Sequence, residues 1–482
     1  MNYKLVFHIL GMILRVEAVL MVPAMVIGFA AGGGDGLAFL YAALITLAVG
    51  QLLTMLPGRN MKMQARDGFA AVALCWIVLS LFGALPYVFS GVLPNYVDAV
   101  FETVSGFTTT GATVFTFIEG QPLGVLFWRA QTQWMGGMGV LVLALALVPK
   151  LGEGSVYLMR AESPGPIKSK LTPRVNDTAK ILYSIYIGLT VAEAICLRIA
   201  GMPWYDAVIH AFTTISTGGF SVKNASVAAY GSLWIEWIII IFMFLSGINF
   251  ALLYFAILRN FRAVFESEEL RSYTIMTVGA SALIVLNLVL HAGWALDARV
   301  VTDSAFQVVT LMTTTGYMTY DYVLWPTFSQ VILILVMFAG GCAGSTAGGI
   351  KQIRVVLLFK NLRREVQRIL HPRVVTTIKS DGDRVDEPIL SGITLFFFAY
   401  IFILLAGTLV VAWDDVGFTA AFTASLTCIS NVGPAFDVLG PTSNFFALSN
   451  GSKIFLSASM LLGRLEIMPL LLLLFPSLWK KR

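Results

Sequence analysis

The chain has 482 residues, of which 57% are hydrophobic and 12% charged, with a net charge of +5 and a mean hydropathy of +0.82. A soluble domain carries about 25% charged residues, so too little charge is present to build a solvated surface. This excludes an ordinary cytosolic enzyme, a disordered chain and a secreted disulfide scaffold, and it leaves a polytopic membrane protein.

The first apolar stretch, 6–31, contains Arg15 and Glu17 and is too long for the core of a cleavable signal peptide. The second, 37–56, ends in Arg59, Lys62 and Arg66. Further stretches lie near 69–92, 123–149, 179–200, 232–258, 272–294, 328–358, 389–412 and 454–478. A span needs roughly 20 apolar residues, so the chain is expected to hold about ten spans. With the N-terminus inside, the cytoplasmic segments hold Lys4, Arg59, Lys62, Arg66, the stretch 150–180, Arg259, Arg262, Arg271, the run 360–384 and the tail Lys480, Lys481, Arg482. The other side keeps little beyond Arg198, Lys223, Arg299 and Lys453. By the positive-inside rule both termini are expected in the cytoplasm. The basic segments 150–178 and 359–387 fit simple anchoring at that face, or a docking surface.

Cysteines 75, 196, 342 and 428 show no CxxC spacing, and the four histidines form no HExxH motif. Buried thiols are expected rather than disulfides or metal ligands.

Three stretches repeat in the same slot between spans. Asp98, Asp206 and Asp303 each stand thirteen residues before Gly111, Gly219 and Gly316. A looser copy, 418–433, ends at Gly433, lacks the Asp and carries an apparent extra residue after Phe422. Each copy is too short to span. Each reads as a re-entrant pore helix followed by an extended loop, with the three aspartates as N-caps rather than direct ion ligands. Non-helical backbone at membrane depth must line water or be buried in protein. Backbone carbonyls can replace the water shell of a monovalent cation without a fixed charge that would trap it. Glycine lets successive carbonyls turn toward one axis.

These units resemble the Trk/Ktr/HKT superfamily of potassium transporters over essentially the whole chain. With two extra helices in front, they are most similar to its bacterial TrkH/TrkG branch. The resemblance implies an all-α polytopic membrane protein with four span–pore loop–span repeats around a pseudo-fourfold pore. The units would be an N-terminal pair 1–66, then 67–150, 151–265, 266–370 and 371–482. The implied filter is Thr109, Thr110, Gly111; Thr217, Gly218, Gly219; Thr314, Thr315, Gly316; and the irregular Asn431, Val432, Gly433. Glycine rather than serine at the end of the first loop goes with potassium preference in the family.

Five glycines between 340 and 351 cannot form a stable straight helix. They suggest an unwound loop inside the eighth stretch, or else a small-residue packing site. In the family the matching stretch is a gate, here Gly344, Ser345, Thr346, Gly348, Gly349 and Lys351, contacted by an arginine matching Arg464. The break is expected only in the third unit. Glu466 cannot share a helix face with Arg464 and is free to bind another unit, and its role is left open. Glu17, Glu102, Arg129, Glu193 and Glu236 are expected mostly to pair between helices.

The implied function is potassium uptake, with K+ as the transported ion, no organic cofactor and no enzymatic activity. The chain lacks a Walker A motif. The implied setting is a bacterial inner membrane, as a homodimer on a cytosolic nucleotide-binding TrkA-like ring, with no nucleic acid involved. A sodium-permeable or sodium- or proton-coupled transporter is the nearest alternative. A membrane sensor without transport is the alternative from another class.

Overall fold

The computed structural model describes residues 2–55, 64–139, 175–372 and 376–479. Arg59, Lys62, residues 140–149 of the fourth apolar stretch, 150–174 of the first basic segment and the tail 480–482 lie outside them. The described chain is helical except for loops and one small antiparallel hairpin, in which Lys379–Ser380 pairs with Asp383–Arg384.

The N-terminal pair comprises α1 (Tyr3–Leu20), α2 (Val22–Ala31) and α3 (Asp35–Thr54). The first span continues through Met21 into α2, with a proline in its first turn, where a missing N–H costs nothing. The first unit follows with α4 (Ala65–Gly83), pore helix α5 (Tyr96–Phe107) and α6 (Leu123–Gly137). The second has α7 (Val175–Ile199), pore helix α8 (Trp204–Ile215), α9 (Leu233–Ser246) and α10 (Phe250–Ile257). The third has α11 (Glu268–Leu290), pore helix α12 (Ala298–Met312), α13 (Thr327–Ala339) and α14 (Gln352–Leu370). The fourth has α15 (Glu387–Ala412), pore helix α16 (Phe418–Ser430), α17 (Asn450–Arg464) and α18 (Met468–Leu473).

Six described helices are long and apolar enough to cross a membrane, seven if the α9–α10 pair counts as one span. Of about ten expected spans, only the eighth was expected to be broken; among the described residues the second spans of three units are broken. The pair α9–α10 bends by 102° at Gly247, where Asn249 caps the new helix through the Ala251 N–H at 2.9 Å. The third unit breaks between α13 and α14, and the fourth between α17 and α18. The break is therefore not peculiar to the third unit. In the fourth it occurs at Glu466 and Ile467, with φ of 57° and 65°. Left-handed non-glycine residues cost of order 1–3 kcal/mol each and persist only where the surroundings impose them.

Outward faces explain the composition. On α15 the exposed residues Phe398, Phe402, Leu405 and Leu409 form one helical stripe. Such a face suits hydrocarbon and not water.

Candidate ion-conducting site

The pore helices begin differently from expectation. Asn95 caps α5 through the Val97 N–H at 3.0 Å, and Asp297 caps α12 through the Val300 N–H at 2.8 Å. Asp98, Asp206 and Asp303 lie within the helices; Asp98 and Asp206 bind other segments, and Asp303 binds both Arg299 of its own helix and Thr319 beyond the loop. Lys453 pairs with Asp98 at 2.7 Å. The Tyr230 hydroxyl donates to Asp206 at 2.8 Å. Arg299 and Thr319 donate to Asp303 at 2.9 and 2.8 Å. The N-cap reading of all three is therefore wrong. They brace pore helices against neighbouring segments instead.

At their other ends the four pore helices turn alike. Two residues before each glycine, Thr109, Thr217, Thr314 and Asn431 take φ of 55°, 55°, 58° and 57°. The next residue donates its N–H to a carbonyl five positions back. These bonds are Thr110 to Ser105 at 2.9 Å, Gly218 to Thr213 at 2.8 Å, Thr315 to Thr310 at 2.8 Å, and Val432 to Thr427 at 2.9 Å. The irregular fourth loop thus keeps the common register, and its apparent extra residue lies above Thr427. The glycines follow with φ of 84°, 75°, 84° and 106°, where L side chains are strained.

The loops close into a ring. A β-carbon on Gly111 would stand 2.3 Å from the Gly218 carbonyl oxygen, and one on Gly219 1.8 Å from that of Thr315. One on Gly316 would stand 2.2 Å from the Val432 oxygen, and one on Gly433 2.6 Å from that of Thr110. Each glycine therefore abuts the next unit's carbonyl, and the fourth returns to the first. Only glycine fits at any of the four.

Nine residues before these glycines, Glu102, His210 and Gln307 brace the strand that leaves the filter. Glu102 accepts from the Val114 N–H at 2.9 Å. A His210 ring nitrogen lies 3.1 Å from the Ser221 hydroxyl. Gln307 donates to the Tyr320 carbonyl at 3.2 Å. Ala424 occupies the fourth position, and the hydroxyl of neighbouring Thr423 accepts from the Phe436 N–H at 3.0 Å instead. Arg129 pairs with Glu102 at 2.8 Å with both side chains buried. Its guanidinium lies over Phe115 and Phe220, on the strands leaving the first and second loops. Glu236 pairs with Arg299 at 2.8 Å, so the expected interhelical pairing holds for these groups. Glu17 and Glu193 form no ion pair among the described residues.

A polar-lined cavity of about 140 Å³ touches all four glycines. On the other side of the ring, a cavity of about 90 Å³ is lined by Asn431, Gly344, Ser345, Gly348, Gly349, Lys351 and Arg464 among others. The 340–351 loop separates α13 from α14 and closes against the second, third and fourth units. Cys342 donates to the Gly247 carbonyl at 2.9 Å, and Gly349 to that of Ser430 at 2.8 Å. The Thr346 hydroxyl donates to the Ile215 and Ser246 carbonyls at 3.1 and 3.2 Å. Gly348 donates its N–H to the Thr314 hydroxyl at 2.7 Å. Arg464 donates to the Thr346 carbonyl at 2.8 Å and to those of Gly136 and Gly137 at 2.6 Å each. The Lys351 ammonium is held by the Ala347 carbonyl. Glu466, whose role the sequence left open, pairs with Arg354 of the third unit at 2.7 Å.

Of the twelve positions named from the sequence, Thr110, Gly111, Gly218, Gly219, Thr315, Gly316, Val432 and Gly433 meet at one ring, with Thr109, Thr217, Thr314 and Asn431 at the turns just before them. Gly344, Ser345, Gly348, Gly349, Lys351 and Arg464 line the cavity on its other side, where Arg464 also holds the Thr346 carbonyl. Sequence reading missed Gln133, Glu269 and Arg354. The Glu269 carboxylate accepts from the Ala343 and Ile353 N–H groups at 2.6 and 3.1 Å, bracketing most of the 340–351 loop. Its signal was only an acidic residue at the start of a span.

Four re-entrant loops closing a carbonyl ring between membrane helices define a pore-loop membrane protein. The profile of the TrkH family, described as cation transport protein, matches residues 36–481. The chain is 39% identical to the Trk system potassium uptake protein TrkH of Salmonella typhimurium, over all of both chains. It is 34% identical to the Trk system potassium uptake protein TrkG of Escherichia coli K12, over 99% of each. The crystal structure of the potassium transporter TrkH from Vibrio parahaemolyticus superposes with a TM-score of 0.88 at 34% identity, covering 100% of both chains. The chain belongs to the TrkH family of cation transport proteins.

Proposed function

We propose that this protein carries potassium into a bacterial cell through the ring formed by Gly111, Gly219, Gly316 and Gly433. The single observation that carries the reading is the closure of that ring, unit by unit, around four backbone carbonyls. Potassium sheds its water at the glycine-end cavity, passes the ring and enters the cavity above the 340–351 gate. Lys351 and Arg464 place positive charge at that cavity, and the closed gate opposes a cation there. An inside-negative potential supplies about 2.3 kcal/mol per charge per 100 mV, so uptake needs no catalytic residue. The Lys and Arg distribution supports cytoplasmic termini in an inner membrane. The pore units 67–150, 151–265, 266–370 and 371–482 form one path per chain. The family resemblance supports a homodimer docked on a TrkA-like nucleotide-binding ring, with the basic segments 150–178 and 359–387 as its contact surface.

Gly316→Ser tests the filter. Its β-carbon would meet the Val432 oxygen at 2.2 Å and Pro434 at 2.7 Å. Potassium flux or selectivity is expected to collapse while the protein still inserts, and unchanged flux would refute the assignment. Arg464→Ala tests the gate. It removes three charge-assisted bonds to backbone carbonyls, and potassium flux through the purified protein is expected to rise about tenfold as the closed loop loosens. Flux at or below the parent level in a folded variant would contradict the latch.

A further inference from the structure

One ring carbonyl differs from the other three. Gln133, fully buried on α6 of the first unit, reaches into the second filter loop. Its Nε2 donates to the Gly218 carbonyl at 2.6 Å, and its Oε1 accepts from the Phe220 N–H at 3.1 Å. The amide therefore grips the loop on both sides of Gly219, and only one orientation of it satisfies both bonds. Among the described residues no side chain donates to the Thr110, Thr315 or Val432 carbonyls.

The equivalent residues of two other units are apolar. Gly136 and Gly463 both crowd the carbonyl four residues before their own filter glycine, at Phe107 and Ile429, so Gln133 corresponds to Met460. Gly137 and Gly247 both meet a tyrosine hydroxyl and the residue three before the next unit's glycine, at Ser216 and Thr313, so Gln133 corresponds to Met243. Both methionines are fully buried. The second loop departs from the others in a matching way. Where the other loops carry Thr110, Thr315 and Val432, it carries Gly218, whose β-carbon would stand 2.4 Å from the Gln133 amide carbon. The Gly218 φ lies outside the left-handed region, so this amide is what excludes a side chain there.

Resting on the filter reading above, we propose that Gln133 is a positioning residue for ion selectivity, weakening and fixing one of the four ring carbonyls through Gly218. A donated N–H draws on lone pairs that a cation would otherwise use. A weaker field in the ring favours the larger, more easily dehydrated ion.

The test compares sodium and potassium fluxes through purified full-length protein in liposomes. Gln133→Met, which copies the other units at nearly equal volume, is expected to raise the sodium-to-potassium flux ratio about tenfold, the scale of one net hydrogen bond. Gly218→Ala pushes the same amide away and is expected to give a similar ratio, and it supplies the readout if Gln133→Met does not insert. Because both break one contact, the double variant is expected to go no further than either single one. Single-variant ratios within twofold of the parent, or effects that multiply in the double variant, would overturn the tether while leaving the filter in place. A parent that conducts neither ion would overturn the filter reading and the tether together.

Discussion

Gly219→Ala is expected to abolish cation flux, by at least about a hundredfold, while leaving the protein inserted and folded. Its β-carbon would lie 1.8 Å from the Thr315 oxygen, which is backbone and cannot swing aside. Alanine is also strained at the Gly219 φ of 75°. The ring must therefore open on the side of the second and third units, and the potassium path loses its coordination there. Gly188 and Gly279 provide the control. They lie inside α7 and α11, where an added β-carbon meets nothing within 4 Å, so alanine there is expected to preserve flux. Equal flux from Gly219→Ala and Gly188→Ala would refute the closed ring.

Arg129→Met is expected to destabilise the protein by about 3–5 kcal/mol, because it leaves Glu102 buried and without its cation. Further contacts go with it. The guanidinium donates to the Ser221 carbonyl at 3.3 Å and the Thr113 hydroxyl at 3.2 Å, and it lies 4.0 Å from the Phe220 ring centre. These tie together the strands leaving the first two filter loops. The check is thermal unfolding in detergent. Adding Glu102→Gln removes the stranded charge and is expected to recover much of the loss. An unchanged melting temperature for Arg129→Met would show that the pair does not hold the filter surround.

The repeat was legible in the sequence because it is a local pattern. The spacing from Asp98 to Gly111 recurs from Asp206 and Asp303, and filter glycines leave no substitute once a β-carbon is forbidden. The unwound segment 340–351 was legible because five glycines break a helix. The aspartates were misread for a physical reason. An Asp near a helix start looks like a cap, yet Asn95 and Asp297 were already nearby for that task. The true partners, Lys453 and Tyr230, come from other segments, and no local pattern announces them. The breaks in the second and fourth units escaped notice because an apolar run such as 232–258 reads the same whether straight or bent. Only the pair Gly247 and Asn249 marked the turn. Gln133 was invisible for a related reason. A lone glutamine in an apolar span acquires meaning only when the second filter loop is folded against it.

The most direct measurement is ion flux through the purified protein in liposomes, with potassium and sodium compared under the same inside-negative potential. The account predicts potassium uptake at least about ten times faster than sodium uptake, as a carbonyl ring of this kind distinguishes the two ions. Equal uptake of the two ions, or none of either, would contradict it.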